Sequence, residues 1–315
     1  MPPENQKQRI VFFGTPEIAA ETLRTLRKAG FNIIGAVTQP DKPTGRQGAL
    51  TPPPAKVTAQ ELSIPVFQPA TLRDGVFLNQ LRELRPDLCI VISYGKIFPP
   101  EFLNAVPLGF INVHYSLLPK YRGASPLQTA IMNGDKESGV TVALLEPEVD
   151  SGPILDQKKI AIPGDLYYED LLKEYGKEGA EFLVVTLKKY LSGEIKPQKQ
   201  DHAQATLAKV FTRDDGRINW SRPVEQIYNR VRALGLEPGT WTTWNGETLK
   251  IIKAHPATEE NHDDIGMVSE RDGNIVVSTG HGSLALEIIQ IAGGRAMSAK
   301  EFINGKKDFI GSVLE

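Results

Sequence analysis

The most constraining feature is an apolar run closed by glycine, followed by a helix-forming stretch and a second apolar run. Arg9-Ile10-Val11-Phe12-Phe13 ends at Gly14 and reads as a buried strand. Thr15 then predicts an N-cap, Pro16 the first helical position, and Glu17 a charge that suits the positive helix end. Ile18, Leu23 and Leu26 face a core, and Gly30 supplies a left-handed stop before the strand Ile33–Thr38. This is a βαβ unit, which builds parallel sheets through right-handed crossovers. The alternation continues. Leu88–Ser93, Phe110–His114 and Val140–Leu145 are predicted strands, and Val76–Arg85 and Ala124–Asn133 are helical stretches. The expected fold class is α/β, a Rossmann-like, doubly wound parallel sheet.

A long helix, about Tyr167–Leu191, closes this half, and the polar stretch from Ser192 to Asp201 reads as a linker. Short strands then follow at Trp241–Trp244, Thr248–Ala254, Gly266–Ser269, Asn274–Ser278 and Ser283–Ala292, preceded by one helix at Val224–Leu234. Five short strands between Gly and Asn-Gly turns predict a smaller OB-like β-barrel. The expected division is a domain over 1–192, a linker over 193–208 and a second domain over 209–315. Between Pro40 and Lys56 lies a Pro/Gly-rich stretch that is either a functional loop or a solvated excursion.

Composition narrows the classes. The longest apolar run, Leu88–Ile92, is far short of the roughly 20 residues of a bilayer span. No apolar leader or Arg-rich amphipathic segment opens the chain. A single cysteine, Cys89, makes no internal disulfide, so the expected compartment is the reducing cytoplasm. With a net charge of −2 there is no uniformly basic domain. One local cationic cluster stands out, Lys209, Arg213, Arg217, Arg222, Arg230 and Arg232 against Asp214, Asp215 and Glu225. None of His202, His255, His262 or His281 has metal-ligand spacing, and no metal is expected.

Dinucleotide binding at the first turn is excluded by its residues. Gly14-Thr15-Pro16-Glu17-Ile18-Ala19 has one glycine where the fingerprint needs three, Pro16 removes an N–H donor, and Glu17 would face a phosphate. Phe110-Ile111-Asn112-Val113-His114 carries more information. Residues i and i+2 of a strand share a face, so Asn112 and His114 point the same way, roughly 7 Å apart. Buried polar groups are costly unless paired, and ligands of open α/β sheets bind at the carboxyl ends of strands. If the strand after it runs parallel, Asp150 of Asp150-Ser151-Gly152 arrives at the same end. An acid, an imidazole and an amide converging there suit acyl transfer. A histidine satisfied by backbone and an Asx-turn at Asp150 are the structural alternatives.

The set Asn112-x-His114-x-Ser116-Leu117-Leu118-Pro119-x-x-x-Gly123, with Asp150-Ser151-Gly152 downstream, resembles the formyltransferases that use 10-formyltetrahydrofolate. Phe13–Pro16, Thr38–Asp41 with Gly45-Arg46, Ile64–Pro69, Tyr94-Gly95, Asp215–Trp220 and Met297–Phe302 are similar to the branch acting on methionyl-tRNA. The resemblance implies catalysis by Asn112, His114 and Asp150, and a folate site formed by Tyr94, Gly95, Ser116, Leu117, Leu118 and Pro119. It implies tRNA contact by the Arg46 loop and the C-terminal barrel. Lys209, Arg213 and Arg217 are the candidate contacts there. The implied partners are 10-formyltetrahydrofolate as co-substrate and initiator methionyl-tRNA, with no membrane and a monomeric enzyme. Two departures bear on RNA affinity. Arg46 is followed by Gln47-Gly48-Ala49-Leu50 instead of glycine and lysines, and Leu234–Gly239 lacks an aromatic. The competing readings are an amino-sugar N-formyltransferase with the same co-substrate, and a tRNA-binding protein with an inactive α/β domain.

Overall fold

The computed structural model describes residues 7–44, 48–257 and 264–315. Its first sheet is built from β1 (Ile10–Gly14), β2 (Ile33–Val37), β3 (Val66–Phe67), β4 (Leu88–Ile92), β5 (Phe110–His114), β6 (Glu137–Leu144) and β7 (Ile154–Ala161). The strand order is β7-β6-β5-β4-β1-β2-β3. From β3 to β5 the pairing is parallel, as the βαβ pattern requires. The strand β6 departs from the expectation, since it runs antiparallel to β5, with His114 opposite Thr141 and Ile111 opposite Leu144. The connection through the short helix Pro126–Met132 starts and ends at the carboxyl edge of β5 and so never crosses back. Consequently Asp150 is not delivered by a parallel neighbour. The loop after Leu144 has to turn and run back along β5 to bring it there.

Two details of the first βαβ unit follow from local chemistry. The helix spans Glu17–Lys28, with Pro16 as N-cap and Gly30 left-handed at φ 85 just beyond its end. Thr15 is thus not the cap. Its hydroxyl donates to the Tyr94 carbonyl at 3.4 Å and accepts from the Gln39 N–H at 3.4 Å, which ties three strand ends together. Gly14 answers a packing need, because a Cβ there would lie 2.6 Å from that of Ala19. Under the sheet, Phe13 packs edge-on against Tyr94 and Phe98 at 5.3 and 5.2 Å between ring centroids. In the Pro40–Lys56 stretch, Lys42 pairs with Thr51 and Thr44 with Ala49 in a short antiparallel ladder. Arg46 lies outside the described residues.

A second sheet is antiparallel. It comprises β8 (Trp241–Trp244), β9 (Glu247–Pro256), β10 (Val268–Arg271), β11 (Asn274–Ser278), β12 (Ser283–Ile291) and β13 (Met297–Ser298). The order is β8-β9-β12-β11-β10, with β13 on β12. Register shifts at Ile251–Lys253 and Lys253–Ala254 bend β9 and curl the sheet into a half-barrel. The chain's last residues bridge its open side. Glu315 exchanges backbone hydrogen bonds with Thr243 of β8, and Leu314 N–H donates to Gly266 beside β10. Trp244, Phe302 and Phe309 fill the centre, with ring centroids 5.1–5.5 Å apart.

By contacts the chain divides into two compact units. One is Met1–Pro126, Ser138–Ala161 and Leu172–Leu207; the other is Leu127–Glu137, Ile162–Leu171 and Ala208–Glu315. The two short insertions join the second unit through polar contacts as well as through Tyr167, which packs against its hydrophobic core. Gln128 Nε2 donates to the carbonyls of Ala233 and Glu237, and buried Arg232 donates to those of Pro163 and Leu166.

Candidate active site

Asn112 and His114 stand on one face of β5, and Asp150 reaches them from the returning loop. Asn112 Nδ2 lies 3.4 Å from Asp150 Oδ1, and His114 Nδ1 lies 3.5 Å from Asp150 Oδ2. The Gly123 backbone N–H donates to Asp150 Oδ2 at 2.8 Å. One carboxylate therefore gathers an amide, an imidazole and a backbone donor. Both side chains are shielded, 6% and 12% exposed for His114 and Asp150. His114 Nε2 sits 2.8 Å from the Tyr121 carbonyl oxygen. A carbonyl only accepts, so Nε2 carries the hydrogen and donates. A second proton on Nδ1 converts the contact with Asp150 into an ion pair.

The loop that carries Asp150 is held tightly. Asp150 itself is left-handed at φ 48, a conformation that Asp tolerates better than most residues. Two residues on, a Cβ on Gly152 would lie 2.0 Å from the Leu144 carbonyl oxygen, so only glycine fits. The Gln200 side-chain amide donates to the carbonyls of Asp150 and Gly152 at 2.8 and 2.7 Å.

Asn112, His114, Gly123 and Asp150 form one wall of a cavity of about 490 Å³. Tyr94 and Gly95 line it together with apolar Val91, Ile97, Phe98 and Leu145. That mix of apolar wall and a few converging polar groups is characteristic of small-molecule sites. The Tyr94 hydroxyl is buried with no hydrogen-bond partner, and burial pushes its pKa up to about 12. Ser116, Leu117, Leu118 and Pro119 do not line the cavity. Their polar atoms are committed elsewhere: Ser116 Oγ donates to Lys120 O at 2.6 Å, and Ser116 O accepts from Thr141 Oγ1 at 2.6 Å. Leu118 N–H donates to Thr141 Oγ1 and Leu118 O accepts from Gln157 Nε2.

Lys96, Gly123 and Gln200 are functional candidates that side-chain patterns do not announce. Lys96 lines the cavity and donates to the carbonyls of Pro69 and Ala70, and burial holds its pKa below the usual lysine range. Gly123 is visible as part of the motif, but its role is a backbone donor that no residue type reveals. Gln200 lies in the stretch that reads as linker.

In the second unit, the candidate cations gather around one indole. The guanidiniums of Arg213 and Arg217 each lie 5.6 Å from the Trp241 ring centroid, and Trp241 Nε1 donates to Arg213 O at 2.9 Å. Lys209 is different, because its ammonium pairs with Asp215. Arg230 donates to the Asp215 carbonyl and Arg232 is buried, so these two members of the cluster serve the fold. Burial lowers the pKa of both guanidiniums. The sequence predicts Trp241 on a strand, but its part in this cationic surface emerges only from the structure.

Residues 8–187 match the formyl transferase family, and residues 211–307 match the formyl transferase C-terminal domain. The chain is 42% identical over 299 residues to a methionyl-tRNA formyltransferase of Chloroflexus aurantiacus (strain ATCC 29366 / DSM 635 / J-10-fl), covering 94% of this chain and 96% of that one. It is 44% identical over 299 residues to a methionyl-tRNA formyltransferase of Roseiflexus sp. (strain RS-1), covering 94% and 92%. Among solved structures, an N-formyltransferase from Helicobacter canadensis in complex with folinic acid and dTDP-3-aminofucose aligns with a TM-score of 0.66. It covers 88% of this chain and 98% of that one at 21% identity, a likeness of fold alone.

Proposed function

This chain belongs to the methionyl-tRNA formyltransferase family, and from that membership we propose how its residues perform the transfer. The reaction moves the formyl group of 10-formyltetrahydrofolate to the α-amine of methionyl-tRNA, the initiator species being the acceptor. A bond forms between the amine nitrogen and the formyl carbon, the bond from that carbon to N10 breaks, and the amine proton ends on N10. The co-substrate supplies an activated formyl carbon. The cavity fits it through the walls at Tyr94 and Gly95 and the polar group opposite. No helix among the described residues is long and apolar enough to cross a membrane.

The observation that carries the reading is the convergence of Asn112, His114 and Gly123 on the Asp150 carboxylate. As the amine adds, negative charge gathers on the formyl oxygen. Asn112 Nδ2 has a second hydrogen to offer it, and the imidazolium of His114 offers the Nδ1 hydrogen. Such donors are worth roughly 2.7–4 kcal/mol of barrier each. Asp150 holds both in line and, through water, takes the amine proton. The hydrogen bonds of Ser116 to Pro119 support a buttressing part for this segment, which braces the end of β5 beside the folate.

For the RNA, the exposed Arg213 and Arg217 over Trp241 combine cations with an aromatic face, the mixture that recognises nucleic-acid strands. Lys209 serves RNA only by exchanging Asp215 for a phosphate, and Arg46 completes the set from the opposite end of the chain. We assign catalysis to residues 1–192 and tRNA contact to 209–315, with 193–208 between them. A monomer in the cytoplasm is the proposed working form, since one polypeptide carries both the transfer site and the cationic face.

The test is formyl transfer from 10-formyltetrahydrofolate to methionyl-initiator tRNA, methionyl-elongator tRNA and a nucleotide-linked amino sugar. Rapid formylation of the initiator alone is expected. Turnover of the sugar alone would overturn the acceptor.

A further inference from the structure

We propose that Gln200, held by the buried Arg122, is a positioning residue that keeps Asp150 in register with His114 and Asn112. The proposal goes beyond the reading above and rests on the part given there to Asp150.

Gln200 uses its whole side chain. Its Oε1 accepts from Arg122 Nε and Nη2 at 3.1 and 2.7 Å, and its Nε2 donates to the carbonyls of Asp150 and Gly152 at 2.8 and 2.7 Å. The orientation admits no flip, because a guanidinium only donates and a carbonyl only accepts. Gln200 is 6% exposed and Arg122 4%. Among the described residues no carboxylate pairs with Arg122, whose remaining side-chain partner is His202 Nδ1 at 3.1 Å. Burying a cation against neutral partners is an expensive way to stabilise a fold, and apolar residues of similar size often do as well or better. What the cation does supply is polarisation. It draws charge toward Oε1 and so strengthens the Nε2 donors on the carbonyls.

The backbone repeats the arrangement. Arg122 leads directly to Gly123, whose N–H holds the Asp150 carboxylate, so one dipeptide grips Asp150 twice: at the side chain directly, at the backbone through Gln200. The grip matters because the contacts it protects are long. Asn112 and His114 meet Asp150 at 3.4 and 3.5 Å, and a further displacement of the loop breaks both. Gln200 is therefore neither a free linker residue nor a group that touches substrate.

The experiment compares two variants of the full chain. Gln200→Glu keeps a partner for Arg122 but turns a carboxylate oxygen on the two carbonyls. The double variant Arg122→Met with Gln200→Leu removes both buried polar side chains together and keeps the volume. Steady-state formylation, thermal unfolding and the 15N signals of the His114 ring are measured for each. The double variant leaves the carbonyls of Asp150 and Gly152 without their donor, so it should melt below wild type while staying folded at the assay temperature, with kcat lowered 10- to 100-fold and KM for both substrates within two-fold. In both variants the His114 Nδ1 signal should move to its position in Asp150→Asn. A folded double variant with kcat within two-fold and an unmoved His114 signal would overturn the proposal. The ring signal does not depend on the acceptor. If it moves while wild type fails to formylate methionyl-tRNA, positioning stands and the acceptor assignment falls.

Discussion

The polar centre at the end of β5 and the cationic face around Trp241 handle charge in opposite ways. In the centre, His114 and Asp150 are shielded and each polar atom has a fixed neighbour. On the face, Arg213 and Arg217 are exposed and rest on an indole. A transfer site must meet charge that develops on one oxygen at one place, so its donors are set in advance and kept from water. A nucleic-acid face meets a line of phosphates that already carry full charge, so long side chains with local freedom suffice. Substitutions in the two regions should accordingly fail in different observables.

The largest effect is expected in the centre. Alanine at Asn112 or His114 should lower kcat by roughly 10²–10³ for the donor removed, and alanine at Asp150 should do at least as much because it orients both. Binding of tRNA, read by filter retention, should stay within two-fold in all three. Near-normal turnover in the three variants would end the assignment.

Gly152→Ala probes the same centre through the backbone. Its Cβ would lie 2.0 Å from the Leu144 carbonyl oxygen, so the loop must shift and carry Asp150 with it. Overpacking of this kind costs typically about 1–3 kcal/mol. Urea unfolding should show that loss, and kcat should fall along with it. A variant as stable and active as wild type would mean that the loop is looser than its packing suggests.

On the face, Arg213→Ala and Arg217→Ala should raise KM for tRNA with kcat preserved at saturation. The slope of log Kd against log salt should flatten by about 0.7–0.9 for each phosphate that the variant no longer neutralises. Trp241→Ala should weaken binding by roughly 1–3 kcal/mol if a base stacks there, with little change in the slope. Equal losses of kcat in these variants would show that the two regions do not divide the labour.

Much of this architecture is legible in the sequence, and the gaps have physical causes. The strands Phe110–His114, Trp241–Trp244 and Asn274–Ser278 and the helix Val224–Leu234 fall where periodicity places them. The i, i+2 spacing correctly puts Asn112 and His114 on one face, because strand geometry is local. The antiparallel course of β6 is not legible, since its buried stretch, Ser138–Ala143, reads alike in either direction. Gly123 and the Tyr121 carbonyl act through backbone atoms, which side-chain chemistry cannot reveal. Gln200 is hidden by its polar surroundings, Lys196 to Asp201, which look like any linker until Arg122 is seen beside it. Ile154–Ala161 escapes notice as a strand because four polar residues in a row, Asp156-Gln157-Lys158-Lys159, break the apolar/polar alternation of a half-exposed edge.

The smallest expected effect is that of removing the Tyr94 hydroxyl, set against removal of the Tyr167 hydroxyl in the other unit. Burial raises both the Tyr94 and the Tyr167 hydroxyls to about 12. An unfolded tyrosine ionises near 10. Between these values the unfolded chain binds fewer protons than the folded one, so stability falls as pH rises from about 10 toward 12. Phenylalanine at either position removes one such contribution, so each variant should lose less stability than wild type over that window. At neutral pH the two should part. Tyr167 Oη donates to Ala254 O at 2.8 Å and accepts from Ala254 N–H at 3.0 Å, so Tyr167→Phe strands both groups and should cost about 1–3 kcal/mol. The Tyr94 hydroxyl has no partner to strand, and Tyr94→Phe should leave stability at pH 7 unchanged or slightly higher. Urea unfolding at pH 7 and pH 11 reads both differences. A neutral-pH loss in Tyr94→Phe as large as in Tyr167→Phe would mean that this hydroxyl is bonded in solution, with a water in the cavity as its partner.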